Sequence, residues 1–439
     1  MFKETSKELL DFLSKSPTAF HAVENYRQIL NADGFKELLE SEHWDIVPGG
    51  KYYVTRNNTS ILAFKVGTKL DNYSFNIVTS HTDSPTFKVK ENAEIEVKNK
   101  YTQLNTEGYG GMLCATWLDR PLSIAGRVLV SEGNSIVTKL LNIDRDLLMI
   151  PNVAIHMNRA ANDGFKYNLQ VDMLPLLSAG DDRQKDFKQI IADELGVKKE
   201  DILGHDLYLY NRMAPSIWGA NEEFISAGHL DDLQCGFASL KALLAGYNDE
   251  SIDIMACFDN EEVGSGTKQG ADSTLLRDTL VRINSALGKT EEDYHRALAS
   301  SFMLSSDNAH AVHPNHPEHT DVTNCTYMNE GVVVKSHAGQ KYTSDGVSMA
   351  VVKALASGAD VPLQYFANRS DKAGGSTLGN IAMAQASMNA VDIGLPQLAM
   401  HSSYETAGIK DTYYAISLMK ALFDSHIQET STHSLEIKS

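Results

Sequence analysis

The sequence predicts an α/β fold interrupted by a β-rich insertion. Helical stretches and apolar strand runs alternate near the start of the chain and again after about residue 226. Between them, from about residue 89, short segments alternate apolar and polar positions as antiparallel strands do. The implied division is residues 1–88 and 214–439 for the two segments of the α/β unit and 89–213 for the insertion.

Leu9, Leu10, Phe12 and Leu13, then Phe20, Val23, Tyr26 and Leu30, recur at helical spacing over residues 5–32. Ser16-Pro17 splits this helix, because the residue before a proline is driven out of the helical region. Residues 60–66 and 74–80 read as strands. Within the insertion, residues 94–98, 123–130 and 135–138 alternate, a helix is expected at about 186–195, and a strand at 206–210. Helical 230–247 then precedes the strand 252–258, the helix 273–287 and the strand 301–305. A helix at about 344–357, a strand at 363–366, a helix near 377–386 and a strand over 398–400 follow. Residues 429–434 read as a frayed tail.

A chain of 439 residues can bury a large core. Its formal net charge of -18 argues against nucleic-acid binding, which needs a basic surface. Residues 1–8 carry charges of both signs and no apolar signal core. No apolar run approaches the roughly 18 residues of a membrane span. Cys114, Cys235, Cys257 and Cys325 form no Cys-x-x-Cys pair, and Cys235 and Cys257 read as small core residues. These features predict a cytoplasmic protein without membrane or nucleic-acid partners.

The chemistry collects where strands end. His81 and Asp83 follow the run 77–80, Glu261 and Glu262 follow 252–258, Asp307 follows 302–306, and His401 follows 398–400. Asp231 opens the helix at 230, where a carboxylate is favourable in any case. In an open α/β sheet, ligands gather at the carboxyl ends of strands. Each residue alone has an ordinary reading: a solvated acid, a turn former, a cap or a surface imidazole. Their joint placement on one edge points to a metal site. Imidazole with carboxylate suits zinc, manganese or cobalt, and carboxylates can bridge two ions.

Other motifs carry less. Residues 264–270 contain glycines and a lysine without P-loop or dinucleotide spacing. No Gly-x-Ser-x-Gly elbow supports a serine hydrolase. Residues 310–319 hold His310, His313, His316 and His319, enough to suggest a separate metal site, although the prolines favour a solvated loop in the second half.

Together the segments Ser16-Pro17-Thr18, Ser80-His81-Thr82-Asp83-Ser84-Pro85, Trp117-Leu118-Asp119-Arg120-Pro121, Ile150-Pro151-Asn152-Val153-Ala154-Ile155-His156, Leu230-Asp231-Asp232, Asp259-Asn260-Glu261-Glu262-Val263-Gly264-Ser265, Asp307-Asn308-Ala309-His310-Ala311-Val312-His313-Pro314-Asn315 and Met400-His401-Ser402 resemble the aspartyl aminopeptidase family of dinuclear metallo-exopeptidases. The match follows the family's order along almost the whole chain. It implies a mixed-sheet α/β/α metallopeptidase catalytic domain interrupted by a β-rich dimerisation domain. It also implies two divalent ions, most readily zinc, with Asp231 bridging, His81 and Asp307 on one ion, and Glu262 and His401 on the other. Asp83 would orient the His81 ring. Glu261 would be the general base, and His156 would complete a neighbouring subunit's site. The family's assembly is a dodecamer built from dimers.

The resemblance further implies cleavage of the N-terminal residue of peptides, preferring Asp or Glu, with Lys335 in the first side-chain pocket beside His310 and Tyr342. Lys335 alone reads as an exposed strand end. The sequence departs from the family pattern at Asp232, where Asn is frequent, at Asn152, where a second His often stands, and over residues 368–377. These departures bear on the acidic preference more than on the metal chemistry. Three other readings stay open: an aminopeptidase of neutral or broad specificity, a related deacylase or carboxypeptidase using Lys335 or Arg369 for a free carboxylate, and a non-enzymatic scaffold.

Overall fold

Residues 1–372 and 374–438 are described by a computed structural model whose centre is a nine-stranded mixed sheet. Its strands run in the spatial order Lys36–Glu37, Lys51–Arg56, Ser60–Val66, Ser251–Phe258, Ser74–His81, Phe302–Ser306, Asn389–Gly394, Val332–Lys335 and Leu363–Phe366. Ser74–His81 lies between Ser251–Phe258 and Phe302–Ser306, parallel to both, with Phe258 opposite His81 and Ser305 opposite Thr79. That register brings three strand ends to one edge, so the residues after them converge.

Side-chain alternation along the strands explains the layers. Met255 and Cys257 face a core shared with Leu9, Phe12, Tyr26, Leu233 and Leu418, on the helices Phe2–Ser14, Ala19–Ala32, Leu230–Ala245 and Asp411–Phe423. Ile252, Ile254, Ala256 and Phe258 face the opposite core, closed by Leu275, Leu280, Tyr294 and Leu378 of Leu275–Ala286, Glu291–Ala299 and Leu378–Gln385. The result is the α/β/α arrangement expected of the catalytic portion.

A second, six-stranded sheet is ordered Ser135–Asn142, Leu122–Glu132, Ile202–Asn211, Thr86–Val97, Tyr101–Tyr109 and Leu176–Ala179. Phe87, Trp117, Leu207 and Ile191 belong to its own core, with Ile191 on the helix Phe187–Leu195. Arg127 ties this sheet to the rest of the chain, donating to the Asn57 carbonyl at 3.0 Å while pairing with Asp206 at 2.9 Å. A third sheet joins Ser216–Trp218, Phe224–Ala227, Glu405–Gly408, Pro396–Leu398 and Ala309–His310, and sets His310 beside Gln397.

Four local expectations change. The residues read as a frayed tail form a hairpin, His426–Ser431 with Ser434–Lys438, because Ile427 is buried opposite Ile437. The strand expected over 398–400 ends at Leu398. The helix beginning at Leu230 is not capped by Asp231: Asp231 and Asp232 have non-helical dihedrals and are joined by a cis peptide bond. Glu261 and Glu262 lie on a 3-10 turn, Glu261–Val263, entered through Asn260 at φ 62°, rather than on a strand.

Candidate metal centre

His81 ends its strand buried, and the Asp231 carboxylate reaches it and His401 with different oxygens. Asp231 Oδ1 stands 3.6 Å from His81 Nε2, and Oδ2 stands 3.4 Å from His401 Nε2. Glu262 Oε2 lies 3.5 Å from the same His401 nitrogen. These separations are long for hydrogen bonds. Two donors each about 2.1 Å from one ion at a tetrahedral angle would stand roughly 3.4 Å apart. Asp231, Glu262 and His401 form one group whose ligand atoms lie within 4.8 Å of one another. His81, Asp232 and Asp307 form a second, and His81, Glu261 and Glu262 a third. Asp232, which sequence reading noted only as a departure from the family pattern, thus stands among the candidate ligands.

Burial supplies the electrostatic reason for a cation. Asp231 Oδ1, Asp232 Oδ1 and Glu262 Oε1 are buried with no hydrogen-bond partner, an arrangement that is costly unless a positive charge meets it. Burial, and then Asp231, pushes the Glu262 carboxyl well above its ordinary range. Burial, with Asp307, Asp83 and Asp231 adding to it, raises Glu261 to about 7. Although burial disfavours its charge, Asp231 and then Glu262 hold the His401 imidazolium up to about 10. A buried set of acids and imidazoles holding protons in common fits a divalent ion, which would displace them.

A ring of polar groups fixes the cluster from behind. His401 Nδ1 donates to the Gly111 carbonyl at 2.7 Å, leaving Nε2 to face Asp231 and Glu262. His81 Nδ1 donates to the main-chain carbonyl of Asp83 at 3.0 Å, with the Asp83 carboxylate farther away at 3.4 Å. Asp83 therefore orients His81 chiefly through its backbone, and its carboxylate has other partners. Those oxygens accept the N–H groups of Glu261 at 3.1 Å and Glu262 at 3.2 Å, and the Tyr109 hydroxyl at 2.7 Å. Tyr109 in turn accepts from Asn260 Nδ2 at 2.8 Å. Asp232 accepts the His81 N–H, and buried Glu405 accepts the N–H groups of Asp231 and His401. Gly110, at φ +75°, passes so close that an added Cβ would come 3.1 Å from that of Glu262. Tyr109 and Glu405 were not singled out from sequence. Glu405 lies four positions after His401, and Tyr109 ends a strand of the insertion, so only folding brings either to the site.

Lys335 is buried rather than an exposed strand end, at 3% accessibility. Its Nζ donates to the Asn308 carbonyl at 2.8 Å and lies 5.7 Å from the centre of the Tyr342 ring. Burial opposes its charge, but Asp307, then Tyr342 and Asp392, hold the ammonium above the ordinary lysine range. His310 edges a neighbouring cavity of about 270 Å³ whose wall includes Phe366, Gln397 and Met400. Arg369 is committed to Asp371 through two hydrogen bonds, 2.9 and 2.8 Å. His156 lies exposed in the turn-rich stretch 151–175 of the insertion, and among the described residues no hydrogen bond or ion pair joins it to the cluster.

His81 at a strand end, His401 brought in from beyond Pro396–Leu398 of the third sheet, and a knot of buried carboxylates form the ligand types of a candidate metal centre at one edge of an α/β/α sheet. The family follows from comparison with known proteins. Residues 12–423 match the sequence profile of the family described as Aminopeptidase I zinc metalloprotease (M18), and the chain belongs to that family. The M18 family is that of the aspartyl aminopeptidases, so the chain is a zinc-type metalloaminopeptidase, a peptide hydrolase. It is 48% identical over 425 residues to a probable M18 family aminopeptidase 2 of Clostridium novyi, across 95% of this chain and 98% of that one. Its fold is similar to that of Ape4 in the Ape4–Nbr1 complex, at TM-score 0.92 and 35% identity, covering 96% of this chain and 86% of that one. It also resembles the S. cerevisiae mApe1 dodecamer structure, at TM-score 0.84 and 28% identity, covering 96% and 97%.

Proposed function

We propose that this aminopeptidase removes N-terminal Asp or Glu from peptides, using a two-ion centre and Glu261 as general base. The observation that carries the reading is the Asp231 carboxylate, which offers one oxygen toward each imidazole. Asp231 would bridge, with His81 and Asp307 on one ion and Glu262 and His401 on the other. Zinc would come first, with manganese or cobalt as alternatives. When bound, such ions polarise a scissile carbonyl and acidify the attacking water.

Glu261 takes the proton from that water and gives it to the leaving amine. Its largely buried position beside the cluster supports that role, because burial makes the carboxyl a stronger base than one in water. Asp83 holds the Glu261 and Glu262 amides, so the base and its neighbouring ligand move as one unit. Lys335 pairs with the acidic side chain of the first residue, in a pocket bounded by His310 and Tyr342. Its burial beside Asp307 supports that role, because a cation kept charged away from water binds a carboxylate strongly. The pairing of Arg369 with Asp371 weighs against its recognising a free C-terminal carboxylate in the deacylase or carboxypeptidase reading.

The insertion, residues 89–213, acts as a dimerisation domain, and His156 completes a partner's site by stabilising the tetrahedral oxyanion. Exposed Val153, Ile155 and Met157 flanking His156, with exposed Val171 later in the same stretch, support its burial in a homo-oligomer. The assembly is a dodecamer built from dimers and works in the cytoplasm; the mApe1 dodecamer structure supports the number of subunits. The test is a panel of Asp-, Glu- and Leu-p-nitroanilides with an N-acetylated substrate, on metal-stripped and re-metallated protein. Activity should need metal and favour Asp and Glu. Cleavage of the acetylated compound alone would overturn the reading.

A further inference from the structure

Outside the catalytic cluster, one other set of metal-ligating side chains converges among the described residues. His316, Glu318 and His319 offer ligand atoms that all lie within 4.8 Å of one another, in the second half of the histidine-rich loop, which the proposed reaction leaves unused. The local backbone explains the convergence. Pro317–His319 is a 3-10 turn, in which side chains three positions apart eclipse. His316 and His319 are three apart, and their rings stack with centroids 5.5 Å apart and planes at 29°. Glu318 joins them, its Oε1 at 3.1 Å from His316 Nδ1.

The turn is held without help from these side chains. The His319 N–H donates to the His316 carbonyl at 3.2 Å, and Thr320 Oγ1 donates to the Pro317 carbonyl at 2.7 Å. The Arg369 guanidinium donates to the Glu318 carbonyl while Asp371 fixes its other end. Ordering the backbone this way lowers the entropy lost when an ion gathers the three side chains. The bland alternative is a solvated His–Glu contact, and an exposed pair of that kind contributes little by itself. The turn geometry accounts for the stacking of the rings, and its result is three ligand atoms of two chemical types within 4.8 Å of one another, with the His313 ring 5.4 Å from that of His316. His313 Nδ1 accepts the Asn315 N–H at 3.2 Å, so it is not counted as a ligand through that atom.

We propose that His316, Glu318 and His319 bind a transition-metal ion, separate from the catalytic centre. Two imidazoles and a carboxylate select borderline ions such as zinc, nickel or copper over calcium or magnesium, which prefer all-oxygen shells. The site shares no residue with the catalytic cluster. It stands at the mouth of the cavity near His310, because His319 and His313 line that cavity together with Met400, the neighbour of His401.

The test compares zinc-replete wild-type enzyme with an H316A/H319A double variant and with E318Q. Zinc uptake is measured at matched free zinc, by calorimetry and by elemental analysis after gel filtration. Wild type should take up one equivalent more than the double variant, and E318Q should bind it at least about tenfold more weakly. All three proteins should keep the same melting temperature when stripped of metal, which separates loss of the site from loss of the fold. The difference between proteins isolates this site, so the count at the catalytic centre cancels and either reading can fail alone. No additional equivalent in wild type, the same equivalent in the double variant, or equal uptake of calcium would overturn the proposal.

Discussion

Glu405 accepts the main-chain N–H of His401 at 2.8 Å through Oε1, and with its other oxygen it takes the N–H of Asp231 at 2.9 Å. One buried side chain thus fixes the backbones of two metal-facing residues that lie far apart in sequence. Asp83 does the same for Glu261 and Glu262. Each carboxylate meets two N–H groups, an arrangement a neutral amide cannot copy.

Glu405→Gln should therefore leave the fold intact and loosen the metal. Its amide NH₂ would face one of the two N–H donors. A loss of about 10- to 100-fold in zinc affinity is expected, read by competition with a chromogenic chelator. Unchanged affinity would reduce Glu405 to a packing role.

Glu261→Gln should keep its metal and lose turnover, by about 10²- to 10⁴-fold in kcat. Metal content and single-turnover rate, measured on the same preparation, separate this outcome from loss of a ligand.

Tyr109→Phe removes a hydroxyl that joins the inserted sheet to Asp83 and Asn260. The expected result is a fall in kcat of roughly tenfold with zinc content and KM little changed, because the Glu261 turn loses its brace. A change in KM alone would point to substrate contact instead.

Lys335→Met should collapse the ratio of kcat/KM for Asp over Leu substrates, by about 10²-fold or more, since a buried charge pair is lost. It preserves length and apolar volume but leaves the Asn308 carbonyl and Asp307 without their cation, so a lowered melting temperature is expected beside the changed ratio. An unchanged ratio would move acid recognition elsewhere.

Asp253 lies beneath the sheet, 1% exposed, accepting from Ser251 Oγ at 2.8 Å and Asn76 Nδ2 at 3.1 Å. Burial pushes its carboxyl up to about 8 from an ordinary 3.8. At a pH below 3.8, folded and unfolded chains both hold the proton. As pH rises, the unfolded chain releases it first and the folded chain keeps it until about 8, so this group lowers stability across that window. Asp253→Asn should flatten the fall in Tm between pH 5 and 8, as followed by circular dichroism. An unaltered slope would assign that fall to other buried acids.

The strand ends were legible in the sequence because apolar runs stop abruptly at His81, Phe258 and Ser306, and the register aligns those stops. The helix break at Ser16-Pro17 was equally plain, with one helix ending at Ser14 and the next starting at Ala19. The bracing groups were not. Asp83 reads as a turn former until Glu261 folds back onto it, and Tyr109 reads as one more strand residue until two sheets meet. The hairpin after His426 was missed because its polar alternation resembles a solvated tail, and only Ile427 and Ile437 betray it. Lys335 looked exposed because a lysine at a strand end normally is. Its burial depends on Asp307, Tyr342 and Asp392, which come from other segments.

The cluster spans the chain from His81 to Glu405, and this sets when the protein becomes dangerous. Synthesis proceeds from the N-terminus, and a nascent chain lacking its later residues has neither His401 nor the carboxylate that holds His401 and Asp231 together. Such a chain carries half a clasp. A chain that ends before Met400 lacks both groups and is expected to have no peptidase activity.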